Sequence, residues 1–209
     1  MTAAPQPSPD DIAYIRQLSE SGARAPLIGG RFTAWWGFLL TIAYLGQHLV
    51  VTGVLTPPNL FLAIIWFGFG ITGGIGQALL ARSVKDKPGA GSAGNLAVRA
   101  VWTAAAWSIV AMVVGSTLIS DGKMNLAAGP HPWDFIVPVA FAVYACAQWV
   151  GGALVGNRML KFAATGAIVM VGLFTALSRW PDRYLLVAGG IALTVMIPGL
   201  LLVRAEPKS

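Results

Sequence analysis

The sequence predicts an all-α, polytopic integral membrane protein. Six transmembrane helices run N-in/C-in, preceded by a short amphipathic cytoplasmic helix. Three observations predict this. Of 209 residues, 56% are apolar and only 11% are charged, against about 25% charged in an ordinary soluble domain. Six apolar stretches are long enough to cross the hydrocarbon core, which takes roughly 20 residues of helix. The basic residues gather on one side of those stretches. Such a composition excludes a soluble globular domain, a disordered chain and a coiled coil, and a single cysteine excludes a disulfide scaffold.

Residues 1–31 form a cytoplasmic segment. Ser8-Pro9-Asp10-Asp11 reads as a helix start, with Ser at the N-cap, Pro in the first helical position and acids in the first turn. Over about 8–21, Ile12, Ile15 and Leu18 share a face and Gly22 ends the run. The mixed charges and the missing small-residue cleavage site exclude a signal peptide. Pro26, Gly29 and Gly30 then bend the chain into the first span. Arg24 and Arg31 flank that bend and are candidates for anionic lipid head groups at the cytoplasmic face.

The predicted spans over 32–203 are Phe32–Val54, Leu60–Ala81, Ala97–Ile119, Asp134–Gly156, Leu160–Ser178 and Tyr184–Val203, with a cytoplasmic tail over 204–209. None has a charge in its interior. Each satisfies its own backbone hydrogen bonds as a helix, which lipid demands. Thr56-Pro57-Pro58-Asn59 breaks the first pair of spans, and Lys85 to Ser92 is a polar, Gly-rich loop. Gly156-Asn157-Arg158 and Arg179-Trp180-Pro181-Asp182-Arg183 are short links between antiparallel neighbours. Gly189, Gly190, Pro198 and Gly199 predict a bend in the sixth span.

Lys and Arg in short loops set the orientation. With the N-terminus inside, Arg16, Arg24, Arg31, Arg82, Lys85, Lys87, Arg99, Arg158, Lys161, Arg204 and Lys208 are cytoplasmic, eleven of the fourteen basic residues. Lys123, Arg179 and Arg183 lie outside, balanced by Asp121, Asp134 and Asp182, so the whole net charge of +6 lies inside. Trp35, Trp36 and Trp102 mark the inner boundary, and Trp133, Trp180 and Tyr184 the outer one. The basic charge is therefore a topology signal, and nucleic acid is excluded as a partner. The expected location is a bacterial cytoplasmic (inner) membrane.

Ionisable groups at depth are the usual pointer to membrane chemistry, and no span interior carries a formal charge. His48 and His131 are too far apart for a zinc motif, and a bis-histidine haem site would need two histidines in the membrane. Neither a metal nor a cofactor is predicted, and no catalytic residue is assigned. The polar groups that remain are Thr41, Tyr44, Gln47 and His48 in the first span, Gln77 in the second, and Tyr144 and Gln148 in the fourth. They read either as the lining of a polar cavity or as interhelical ties. Gly70 and Gly74, and Gly152 and Gly156, have the spacing of small-residue packing motifs, within the chain or against a second copy. Six spans also divide into two threes of opposite topology, as in inverted-repeat transporters, but little else aligns.

Three function classes fit. One is a non-enzymatic subunit or regulatory protein of a membrane assembly, with the lipid bilayer, a homo-oligomer or another membrane subunit as partners. The second is a transporter or channel for an uncharged or lipid-like solute. The weakest is a membrane-embedded enzyme, because no acid/base pair shares a depth.

Overall fold

The structure, a computed structural model, describes Ser8, Ala13 and residues 27–87, 89–120 and 135–206. The amphipathic helix predicted over 8–21, with Arg24, and the loop carrying His131 and Trp133 therefore lie outside the described residues. Six helices are long and apolar enough to span a membrane, and no strand occurs among the described residues. They are α1 (Gly30–Val51), α2 (Pro58–Val84), α3 (Ala93–Ser120), α4 (Ile136–Leu154), α5 (Arg158–Ala176) and α6 (Arg183–Ala205). The fold is that of an all-α helical membrane protein.

Their ends follow local chemistry more than the hydrocarbon boundary. The turn after α1 places Gly53 at φ 81°, a left-handed conformation that glycine adopts without a Cβ clash. Pro58 opens α2 in its first turn, where its missing N–H costs no helical hydrogen bond. The predicted turn and the helix start thus overlap. α2 runs on through Arg82 and Ser83, and α3 begins four residues before Ala97, because helical hydrogen bonding continues where apolarity stops. Asn157 caps α5 by accepting from the Leu160 N–H at 3.3 Å.

Packing is organised around α1 and α4. α1 packs on α2 and along the whole length of α6, while α4 packs on α5 and α3. α5 and α6 join the two groups. Leu40 and Tyr44 of α1, Phe141 of α4, Phe174 of α5 and Val187 and Val195 of α6 meet in one core cluster. α1 and α4 hold the same place in the two predicted threes, and each supports the next helix plus one from the other half. The likeness fails between α2 and α3, which touch at most marginally where α5 and α6 pack.

Helices in lipid gain little from apolar burial against one another, so close packing needs small residues. A Cβ on Gly37 would lie 2.6 Å from the Met196 backbone N, and one on Gly30 would lie 2.6 Å from Leu202 Cβ. Gly199 sits against the Ala34 backbone. The α1–α6 pair is therefore a backbone-to-backbone contact.

α6 is continuous but carries a π-helical turn over Ala192–Met196. Pro198 explains it. A proline ring presses on the carbonyl four residues earlier, here Thr194, and a widened turn gives it room. The Thr194 hydroxyl, itself buried, donates to the Gly190 carbonyl at 2.7 Å. The predicted bend signal is thus expressed as a wide turn.

Gly37→Ala should cost about 1–3 kcal/mol, as overpacking usually does. Gly172→Ala, where a Cβ meets nothing within 4 Å, should be neutral or gain up to about 1 kcal/mol of helix propensity. Thermal unfolding of both variants in one detergent checks the contrast.

Candidate functional site

The seven polar residues singled out in the spans fall into separate places. Tyr44 and Tyr144 come together. With Leu40, Val137, Phe141 and Val187 they line a cavity of about 20 Å³ between α1, α4 and α6, enough for about one water molecule. The Tyr44 ring stacks on Tyr184 with centroids 6.3 Å apart and meets Trp66 edge-on at 5.3 Å. Tyr144 lies 5.8 Å from Trp102 of α3. Each tyrosine thus links its helix to the neighbouring one through aromatic contact, which adds about 0.5–1.5 kcal/mol per pair.

The others stand apart. Thr41 donates its hydroxyl to the Gly37 carbonyl of its own helix at 2.8 Å. Gln77 accepts from Trp36 Nε1 at 2.9 Å, tying α2 to α1. His48 Nε2 lies 3.8 Å from an Asp182 carboxylate oxygen, while its Nδ1 and the neighbouring Gln47 Oε1 are buried without a partner. Gln148 is 1% exposed, and both of its amide atoms lack a partner. Only Tyr44 and Tyr144 of the seven share the cavity. Among the described residues no group of three or more His, Cys, Asp or Glu side chains gathers.

The glycines also separate. Gly152 packs in the α4–α5 hairpin, close to the Asn157 carbonyl and Leu160. Gly156 lies beyond α4 at φ 66°, so it makes the turn of that hairpin. A Cβ on Gly70 or Gly74 would meet nothing within 4 Å. The glycines of α2 that do pack are Gly73 and Gly76, one lying under Trp36 and the other under Trp35. Those tryptophans fill the α1–α2 contact, a role beyond the boundary marking their position suggested. Tandem tryptophans in one span facing glycines three residues apart in the next would have been the signal.

At the basic end, one carboxylate organises three elements. Glu206, just past α6 with a side chain 4% exposed, accepts from Arg31 Nε at 3.2 Å and pairs with Lys87 of the α2–α3 loop. The Asn95 carboxamide oxygen accepts from the Ile28 N–H at 3.1 Å, and its Nδ2 donates to the Gly89 carbonyl at 2.9 Å. Leu27, Val98, Leu160 and Leu202 close over the same end as a second apolar cluster. Arg31 is therefore held in place, half of an ion pair as well as a head-group candidate. The sequence could not reveal that partner, which lies 175 residues away.

Comparison with protein-family models, with curated proteins and with solved structures gives no match.

Replacing Gln148 by Met keeps the volume and removes two unsatisfied buried groups. Since each costs about 1–3 kcal/mol, Gln148→Met should raise the thermal midpoint, and a lower one would mean that the amide has a partner. Glu206→Gln should cost about 1–3 kcal/mol, the usual worth of hydrogen bonds to a charged group. It should also speed tryptic cleavage after Lys85, the basic residue of this loop not followed by proline.

Proposed function

We propose that this chain is a non-enzymatic subunit of a membrane assembly, contacting its neighbours through the outward faces of α2 and α3. The observation that carries the reading is how little of these two spans the chain itself covers. Of the most apolar stretch of each, 6% of α2 and 11% of α3 is buried, against 50% of α6.

Both faces have the composition of helix-contact surfaces. α3 packs on α4 through a narrow seam of Val98, Trp102, Ala105, Ile109, Met112 and Ser116, spaced four and three residues apart. That leaves Ala100, Ala104, Trp107, Ala111 and Val114 exposed. On α2, Gly70, Gly74 and Ala78 follow one another at four-residue spacing, all exposed. Glycine in a helix interior costs about 1 kcal/mol relative to alanine. Against fluid lipid nothing offsets that cost, whereas a close helix contact does. The neighbour that fits is another transmembrane helix with small residues, from a second copy or a different subunit. The gathered basic groups of Arg31, Lys87 and the end of α2 fit a cytoplasmic face.

A solute pathway finds less support, since the one cavity holding two of the polar candidates has room for about one water.

In mild detergent or native nanodiscs, the mass should exceed that of one 21.9 kDa chain. Gly70→Leu combined with Gly74→Leu should reduce it to a single folded chain, because both side chains have room within the chain. A wild-type protein that stays a lone chain in both media, with no co-purifying partner, would overturn the reading.

A further inference from the structure

A groove of about 470 Å³ opens sideways between α1, α2 and α6. Trp35 and Phe38 of α1, Leu79 of α2, and Met196 and Leu200 of α6 give it apolar walls, and Arg31 lies at one end. Arg31 and Phe38 are seven residues apart, so the groove extends about 10 Å along α1. That is most of one leaflet's hydrocarbon, about 15 Å thick. The groove thus starts at the basic helix ends and reaches toward the middle of the bilayer.

Its shape follows from the helix contacts. α2 and α6 both pack on α1. Gly76 gives the Trp35 ring room against α2, and Gly37 brings α1 onto the Met196 backbone, which leaves a slot between α2 and α6. Met196 is also the last residue of the π-helical turn, a distortion found often at functional sites.

The charge at the mouth decides what occupies it. Arg31 gives its Nε to Glu206 yet stays 35% exposed. Lys87 shares the same carboxylate, so two cations face one anion and a positive charge is left at the interface. An apolar slot reaching most of the way through one leaflet, with a cation at its headgroup end, matches an amphiphile with a negative head. A zwitterionic lipid would bring no net charge to that surplus.

We propose that this groove binds one acidic phospholipid of the bilayer, an acyl chain lying between Trp35, Leu79 and Met196 and the phosphate at Arg31. Arg31 contacts the lipid through the guanidinium edge that Glu206 leaves open, while Glu206 fixes the side chain's direction.

The test uses the full chain in nanodiscs of equal phosphatidylcholine and phosphatidylglycerol, released into native mass spectrometry with bound lipid counted per chain. The wild type should retain one phosphatidylglycerol. Arg31→Gln should lower that retention at least fivefold, and Arg31→Lys should restore part of it. Leu79→Trp, or Leu200→Trp if the first fails to fold, fills the groove without altering charge and should remove the retained lipid. Equal retention of both lipids by the wild type would overturn the proposal. So would retention that survives the groove-filling variants, which would mean binding by charge alone. Retention that survives Arg31→Gln would overturn it too. Since lipid is counted per chain, the result is independent of the oligomeric state.

Discussion

The contact between α1 and α6 is the one on which the other elements depend. Lipid already satisfies apolar side chains, so two helices hold together there only by packing closer than lipid can. Gly30 and Gly37 on α1 and Gly199 on α6 remove the side chains that would keep the backbones apart. With α1 fixed on α6, its Leu40 and Tyr44 point into the cluster shared with α4 and α5. Its opposite flank presents Trp35 and Trp36 to α2. The core is thus built from the first and last spans of the described chain, and α2 and α3 are added to its outside.

The same contact accounts for the charge cluster. Bringing the start of α1 beside the end of α6 places Arg31 against Glu206. A carboxylate 4% exposed is costly unless paired, and Lys87 supplies the second cation from the α2–α3 loop. Asn95 adds neutral hydrogen bonds between that loop and the chain leading into α1. The loop is therefore tied down on the basic side even though α2 and α3 themselves barely touch. Connection without packing is what leaves their outward faces uncovered.

The fold was legible because a spanning helix has to be long, apolar and uncharged, and that requirement is written in consecutive residues. Its boundaries were less so. Arg82 and Ser83 end the apolar run of the second span but not its hydrogen bonding, and Pro58 serves a turn and a helix start at once. The polar candidates were legible as residues but not as a group. Tyr44 and Tyr144 meet because α1 and α4 face each other, whereas Gln77 turns to Trp36 and His48 to Asp182. The glycines show the limit most clearly. Spacing selects Gly70 and Gly74, yet Gly73 and Gly76 receive the tryptophans. Four-residue spacing identifies a close-packing face without saying which direction the partner lies in, and that direction depends on where α1 stands.

Once α1 is placed, α2 has three sides with different surroundings. At 100° per residue, Gly73 and Gln77 fall toward α1, Gly76 and Leu79 fall on the flank that lines the groove, and Gly70, Gly74 and Ala78 fall on the other flank. A lipid in the groove and a helix against Gly70 and Gly74 would therefore occupy α2 together without competing. They would also support each other. α2 packs on one helix only, so its tilt is set by α1 and by whatever fills its two flanks. An acyl chain between Leu79 and Leu200 would fix the spacing of α2 from α6, and with it the angle at which the glycine flank meets a neighbour. Two weak attachments on opposite flanks of a poorly buried helix then give a defined surface where either alone would leave α2 free to rock on Trp35 and Trp36.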